Sequence, residues 1–211
     1  MSEKSRFLDE IGTRAWLSTL HSGRVATQLV RAPLPGSYVA CLPVLAGPYP
    51  GVADERESRR RLERVLDEGC DLFLDLTERG EREPYAHLLP PHARYVRLPL
   101  RAGAVPSSAQ IGAVVAAIRR YAAADGWFLY VHDANGLGRV GVAVGCWLGS
   151  LPDGTRDPLS LLDELRRPIE GPWVEGQWRS SPPLAAQRAF VRRWTYQRRQ
   201  ASRQLSEGGS R

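Results

Sequence analysis

The apolar run Trp127-Phe128-Leu129-Tyr130-Val131, the loop that follows it and the second apolar run, Val140 to Leu148, constrain this chain more than any other stretch. The first run reads as a strand. The second is almost wholly apolar and predicts a buried central helix. Between them lie His132-Asp133-Ala134-Asn135-Gly136-Leu137-Gly138-Arg139, where Gly136 and Gly138 permit a tight backbone path. Strand, loop and helix in this order gather backbone N–H groups at a helix N-terminus. Arg139 adds a guanidinium at the far end of the loop, and together these groups make an anion cradle.

The rest of the chain supplies a sheet and helices to hold that loop. Tyr38 to Leu45 predicts a strand, interrupted by Pro43 and therefore expected at a sheet edge. Glu55 to Glu68 predicts a helix with Leu62, Val65 and Leu66 on one face and Gly69 as its stop. Asp71–Leu76 and Tyr95–Leu100 read as short strands of the kind buried on both faces of a parallel sheet. Ser107 or Ser108 can cap a helix through Ile111, Val114, Val115 and Ile118 to about Ala124. Asp157-Pro158 starts another through Leu161, Leu162 and Leu165, and Pro182–Arg199 predicts the last. The alternation implies an α/β fold: a central, mostly parallel sheet flanked by helices, with the loop at the carboxyl end of a central strand. Three segments are expected: an N-terminal helical extension over 1–33, the main domain over 34–195 and a basic, disordered tail over 196–211.

The loop resembles the signature of the protein tyrosine and dual-specificity phosphatases, His-Cys-x-x-Gly-x-Gly-Arg-Thr/Ser-Gly. His132, Gly136, Gly138, Arg139 and Gly141 fall on its fixed positions, and Asp133 stands where the family has its nucleophilic Cys. Other segments are similar to the family in the same order. Cys70 to Glu81 with Pro84-Tyr85 looks like the early strand and its loop. Tyr95 to Leu100 with Val105-Pro106-Ser107 looks like the general-acid segment. Leu45 to Gly51, Ser181-Pro182 and Gln187 to Trp194 are similar to bacterial members. The resemblance implies the dual-specificity-phosphatase fold with the loop as phosphate-binding loop.

In that family a low-pKa Cys thiolate attacks phosphorus, the loop amides and Arg hold the phosphoryl oxygens, and an Asp elsewhere protonates the leaving group. Carried over by position, Arg139 is the phosphate clamp. Ala134, Asn135, Gly136, Leu137 and Gly138 form the amide cradle, and His132 takes an orienting role. Val140 replaces the hydroxyl residue that aids the second step, and the general acid would fall at Ala102, so the acid is absent. Nucleophile, hydroxyl and acid are all rewritten. Asp133, set among the loop amides and close to Arg139, is expected to act as an internal surrogate for the anion. Its repulsion of an incoming phosphate dianion would cost on the order of a few kcal/mol.

These readings imply a pseudophosphatase that serves as a binding or regulatory module, with a protein or phosphorylated ligand at the old substrate cleft. The alternative is an active phosphoester hydrolase in which Asp133 is the nucleophile, through an aspartyl-phosphate, and Arg139 clamps the phosphoryl group. No cofactor and no metal site is expected. Asp71, Glu78 and Glu81 read as strand-end and loop solvation, and His87 and His92 as isolated surface histidines.

No run approaches a membrane span, and Met1 to Asp9 lacks the apolar stretch of a secretory signal. Cys41, Cys70 and Cys146 have no ligand spacing and suit free thiols in a reducing, cytoplasmic setting. Net charge is +6, and arginine supplies nearly all the positive side. Arg188, Arg192, Arg193, Arg198, Arg199, Arg203 and Arg211 face only Glu207 near the C-terminus. Without interleaved exposed aromatics, this cluster reads as a solvated helix face rather than a nucleic-acid patch.

Overall fold

The computed structural model describes residues 38–41, 44–122, 128–151, 156–167 and 181–208. Their centre is a sheet of six strands: β1 (Tyr38–Cys41), β2 (Val44–Pro48), β3 (Cys70–Asp75), β4 (Arg94–Arg97), β5 (Phe128–Asp133) and β6 (Arg166–Arg167). The spatial order is β4-β3-β5-β2-β1-β6. The first four in that order run parallel, and β1 and β6 add antiparallel at one side. Five helices accompany them among the described residues: α1 (Glu55–Asp67), α2 (Ser108–Ala122), α3 (Gly138–Leu148), α4 (Pro158–Leu165) and α5 (Ala185–Gly208).

Alternation along the strands divides the core into two layers. Val44, Ala46, Leu72, Leu74, Leu129 and Val131 face the layer built with α2, α3, α4 and α5. Leu45, Phe73, Phe128 and Tyr130 face the opposite way, toward Leu62 and Val65 of α1. Covering both faces is the arrangement that continuous apolar strands require. It also fixes the ends of β5. His132 follows Phe128 and Tyr130 into the α1 layer, and Asp133 follows Leu129 and Val131 toward the start of α3.

Local chemistry sets the helix ends. The Asp54 carboxylate accepts from the amides of Arg56 (2.8 Å) and Glu57 (3.3 Å) at the start of α1, a cap worth about 1 kcal/mol. Gly69, at φ 88°, takes the left-handed conformation that ends it. Ser107 and Gln110 cap each other's amides before α2, at 3.2 and 2.9 Å. Asp157 accepts from Ser160 N at 3.2 Å at the start of α4.

Helix α3 is buried on all sides, as its composition predicts. Gly141, Gly145 and Gly149, one turn apart, let other chain segments press against it. A Cβ at Gly141 would lie 2.7 Å from Pro182 N, one at Gly145 3.0 Å from Val191, and one at Gly149 3.0 Å from Thr195.

Three sequence expectations need correction. The single edge strand expected over 38–45 is two strands, Tyr38–Cys41 and Val44–Pro48, paired antiparallel. The second, β2, lies inside the sheet because its apolar residues pair in parallel with β5. The strand expected over Tyr95–Leu100 is Arg94–Arg97. It forms the other sheet edge, where the charged Arg94 and Arg97 reach solvent. The last helix runs past Arg199 to Gly208, so most of the segment read as a disordered tail is helical. The N-terminal extension expected over 1–33 and the side chain of Cys41 lie outside the described residues and side chains. No helix among the described residues is long and apolar enough to cross a membrane.

Candidate functional site: an occupied anion cradle

The loop between β5 and α3 folds around its own carboxylate. Asp133 Oδ1 accepts from the amides of Asn135 at 2.8 Å and Gly136 at 2.5 Å, and Oδ2 accepts from Val140 N at 3.0 Å. Val140 N–H is one of the donors that a helix start leaves unpaired, and Leu137, at the cap position, offers no side-chain acceptor. Gly136 turns the loop at φ 73°, a conformation that favours glycine. Three amides of the loop therefore already hold a carboxylate, and Asp133 is 3% exposed. Ala134, Leu137 and Gly138 are half-buried along the same loop, and Asn135 is exposed at its tip.

Arg139 is occupied as well. Its Nη1 donates to Glu81 Oε2 at 2.6 Å and to the carbonyls of Leu100 (3.1 Å) and Leu76 (3.4 Å), and its Nη2 donates to Glu81 Oε1 at 2.5 Å. Burial works against the guanidinium charge. The Glu81 hydrogen bonds and the negative charges of Asp133 and Glu81 outweigh it and raise the Arg139 pKa. In return Arg139 holds the Glu81 carboxyl below its ordinary value. Glu81 was expected to be a solvated loop carboxylate. It is the fork partner of Arg139 because a turn, in which Glu81 Oε2 accepts from Glu78 N at 3.0 Å, carries it back over the end of β3. A glutamate in a polar loop carries no sequence signal for this role.

Beneath the loop lies a buried polar network. His132, fully buried, shares a 2.5 Å hydrogen bond with Tyr85 Oη through Nε2, while Nδ1 lies 3.8 Å from Asp75 Oδ1. Burial pushes the imidazole pKa down to about 4, so it is neutral at neutral pH, despite the pull of Asp75. Burial also raises the Tyr85 hydroxyl, so Tyr85 keeps its proton and donates to Nε2. Asp75 Oδ1 accepts from Thr77 N and Oγ1, both at 2.7 Å, and Oδ2 from Tyr95 Oη (2.5 Å) and Arg97 Nε (3.0 Å). Burial alone would raise the Asp75 carboxyl. Protonated His132 and the hydrogen bonds of Tyr95 and Thr77 outweigh that, holding it below the ordinary value. At neutral pH, where His132 is uncharged, Tyr95, Thr77 and Arg97 are what stabilise its charge. This network fixes the His132 ring and the end of β3.

Ala102 lies exposed in the turn Arg101–Ala104, next to Leu100, whose carbonyl takes the Arg139 bond. The segment from Pro99 to Ser107 contains no acidic residue. Val140 is buried and meets the site only through its amide. Ser181 brings a hydroxyl to the loop, donating to Leu137 O at 2.6 Å. His87 and His92 are exposed. Among the described residues no group of three or more His, Cys, Asp or Glu side chains is placed to hold a metal ion.

No protein-family model matches the sequence, and no curated protein matches it at a significant level. Solved structures do. Tk-PTP in its active form superposes with a TM-score of 0.56 at 19% identity, over 72% of this chain and 91% of that one. A variant of human DUSP28 gives 0.56 at 17% identity, over 80% and 99%, and PTPMT1 gives 0.54 at 19%, over 79% and 99%. The parallel sheet, the loop at the end of β5 and these likenesses agree. The chain has the fold of the protein tyrosine and dual-specificity phosphatases.

Proposed function

We propose that the protein is a pseudophosphatase, a binding or regulatory module that uses the old substrate cleft to hold a partner rather than to turn over a phosphoester. The observation that carries this reading is the double occupation of the cradle: Asp133 takes three loop amides and Glu81 takes both arms of Arg139. A phosphoryl group needs those same donors, as its charge is otherwise unmatched in a dry site. The rim of the cleft carries exposed charges of both signs, Arg79, Arg82 and Arg101 with Glu78 and Glu83, and suits a polar, charged partner. The buried thiols of Cys70 and Cys146 suit a reducing, cytoplasmic setting.

The aspartyl-phosphate alternative asks one carboxylate to be both cradle filler and nucleophile. Three of the loop amides and both arms of Arg139, donors that would steady its phosphoryl substrate, are spent on Asp133 and Glu81. The test is hydrolysis of an aryl phosphate between about pH 5 and 8, the range spanned by ordinary catalytic bases, for the native chain and Asp133→Ala, each with and without magnesium. No turnover from either is expected. Turnover by the native chain that disappears in Asp133→Ala would overturn the proposal.

A further inference from the structure

We propose that Asn135 is a modification site, a point of succinimide formation and deamidation that Asp133 holds in check. Asn135 is the only asparagine in the 211 residues. It is exposed at the tip of the β5–α3 loop, and the residue after it is Gly136. Asparagine is among the thermolabile residues, and before glycine its reaction meets least hindrance because no side chain shields the glycine nitrogen. The amides of this reactive pair are two of the three that Asp133 accepts from.

The reaction needs no co-reactant but water. The Gly136 nitrogen loses its proton and bonds to Asn135 Cγ. The Cγ–Nδ2 bond breaks, and the side-chain nitrogen leaves with that proton as ammonia. Water then opens the succinimide at one carbonyl or the other, giving aspartate or isoaspartate at position 135. Either product adds a carboxylate to a loop that already holds one. Isoaspartate also lengthens the backbone by one methylene between Asp133 and Val140, the residues that the Oδ2 bond joins.

In the folded chain the nucleophile is engaged. Gly136 N–H donates to Asp133 Oδ1 at 2.5 Å, and the same oxygen accepts from Asn135 N at 2.8 Å. Asn135 also pairs with Pro48 of β2 in an isolated antiparallel bridge. To reach Cγ, the Gly136 nitrogen must give up its proton, and the peptide plane between 135 and 136 must turn. Both break the bond to Asp133. A carboxylate beside the amide opposes the negative charge that the nitrogen acquires, and it is far too weak a base to take the amide proton itself. These bonds act whether or not the loop turns over a phosphoester.

The measurement is peptide-mapping mass spectrometry of the full chain, incubated warm at mildly alkaline pH and read at Asn135. The native fold should convert far more slowly than the same chain unfolded in guanidinium chloride. Asp133→Ala should convert about tenfold faster than the native fold or more, the factor set by a lost hydrogen bond to a charged acceptor. Asp54→Ala, which removes the α1 cap and leaves the loop alone, should keep the native rate. Hydrogen exchange at the Gly136 amide needs no variant and should show protection well beyond that of an open loop amide. It decides the matter if a thermal melt shows Asp133→Ala to be unfolded. A folded Asp133→Ala that converts no faster than the native chain would overturn the proposal, as would an unprotected Gly136 amide. No conversion in guanidinium chloride would remove Asn135 as a site.

Discussion

Arg139 and Glu81, 58 residues apart in sequence, form a two-bond fork with N–O distances of 2.6 and 2.5 Å. Bidentate geometry is the strongest that a guanidinium makes with a carboxylate, and it is the geometry Arg would use on a phosphate. Together with Asp133 on the loop amides, it sets two carboxylates of the chain against the donors of the β5–α3 loop, which leads to specific expectations.

Asp133→Ala leaves Asn135, Gly136 and Val140 N–H without their acceptor, and the last two are buried. A loss of about 2–4 kcal/mol is expected. Millimolar phosphate or sulfate should recover part of it by binding the emptied cradle. Thermal melts with and without the anion check this: the variant's melting temperature rises with anion, and the native chain's does not.

Glu81→Gln removes the charge opposite Arg139 and keeps the shape. Arg139 retains the Leu76 and Leu100 carbonyls, so a fall of about 1–3 kcal/mol is expected rather than unfolding. Alone it should create no phosphate site, since Asp133 still fills the loop. Combined with Asp133→Ala it should bind orthovanadate more tightly than Asp133→Ala does, as titration calorimetry would show.

His132 makes stability depend on pH. Its folded pKa, about 4, lies below the ordinary 6.5, so between these values the unfolded chain takes up a proton that the folded chain refuses. Stability should therefore be complete above about pH 6.5 and fall toward pH 4, by about 1.4 kcal/mol per pH unit and ~3 kcal/mol in all. Asp75 and Glu81, held below their ordinary values of 3.8 and 4.5, add losses only near and below those values. Urea denaturation across this range should show the slope, and His132→Gln should flatten it.

Gly141→Ala should displace the Ser181–Pro182 segment, because the new methyl meets the Pro182 backbone at 2.7 Å and backbone yields poorly. A cost of about 1–3 kcal/mol is expected from chemical denaturation. Gly138→Ala, where nothing lies within 4 Å of the added carbon, is the matched control and should cost less.

The sequence was legible wherever the information was local. The apolar strand over Phe128–Val131, the cap at Asp157 and the apolar surface of α3 each follow from residues a few positions apart, and each appears as expected. So does Asp133 on its own loop amides, because donor and acceptor lie within seven residues. The strand ends near Pro43 and Leu100 and the reach of α5 to Gly208 were misjudged, for want of the partner strands that decide them.

What only the tertiary structure decided is where distant charges meet. The chain by itself determined the loop, its anion cradle and the carboxylate inside it. That Glu81 rather than a ligand would take Arg139 and that Asp75 would underpin His132 depended on how β3 and β5 pack. Local backbone donors are set by sequence order. Long side-chain pairs are set by the packing of elements that the order alone does not bring together.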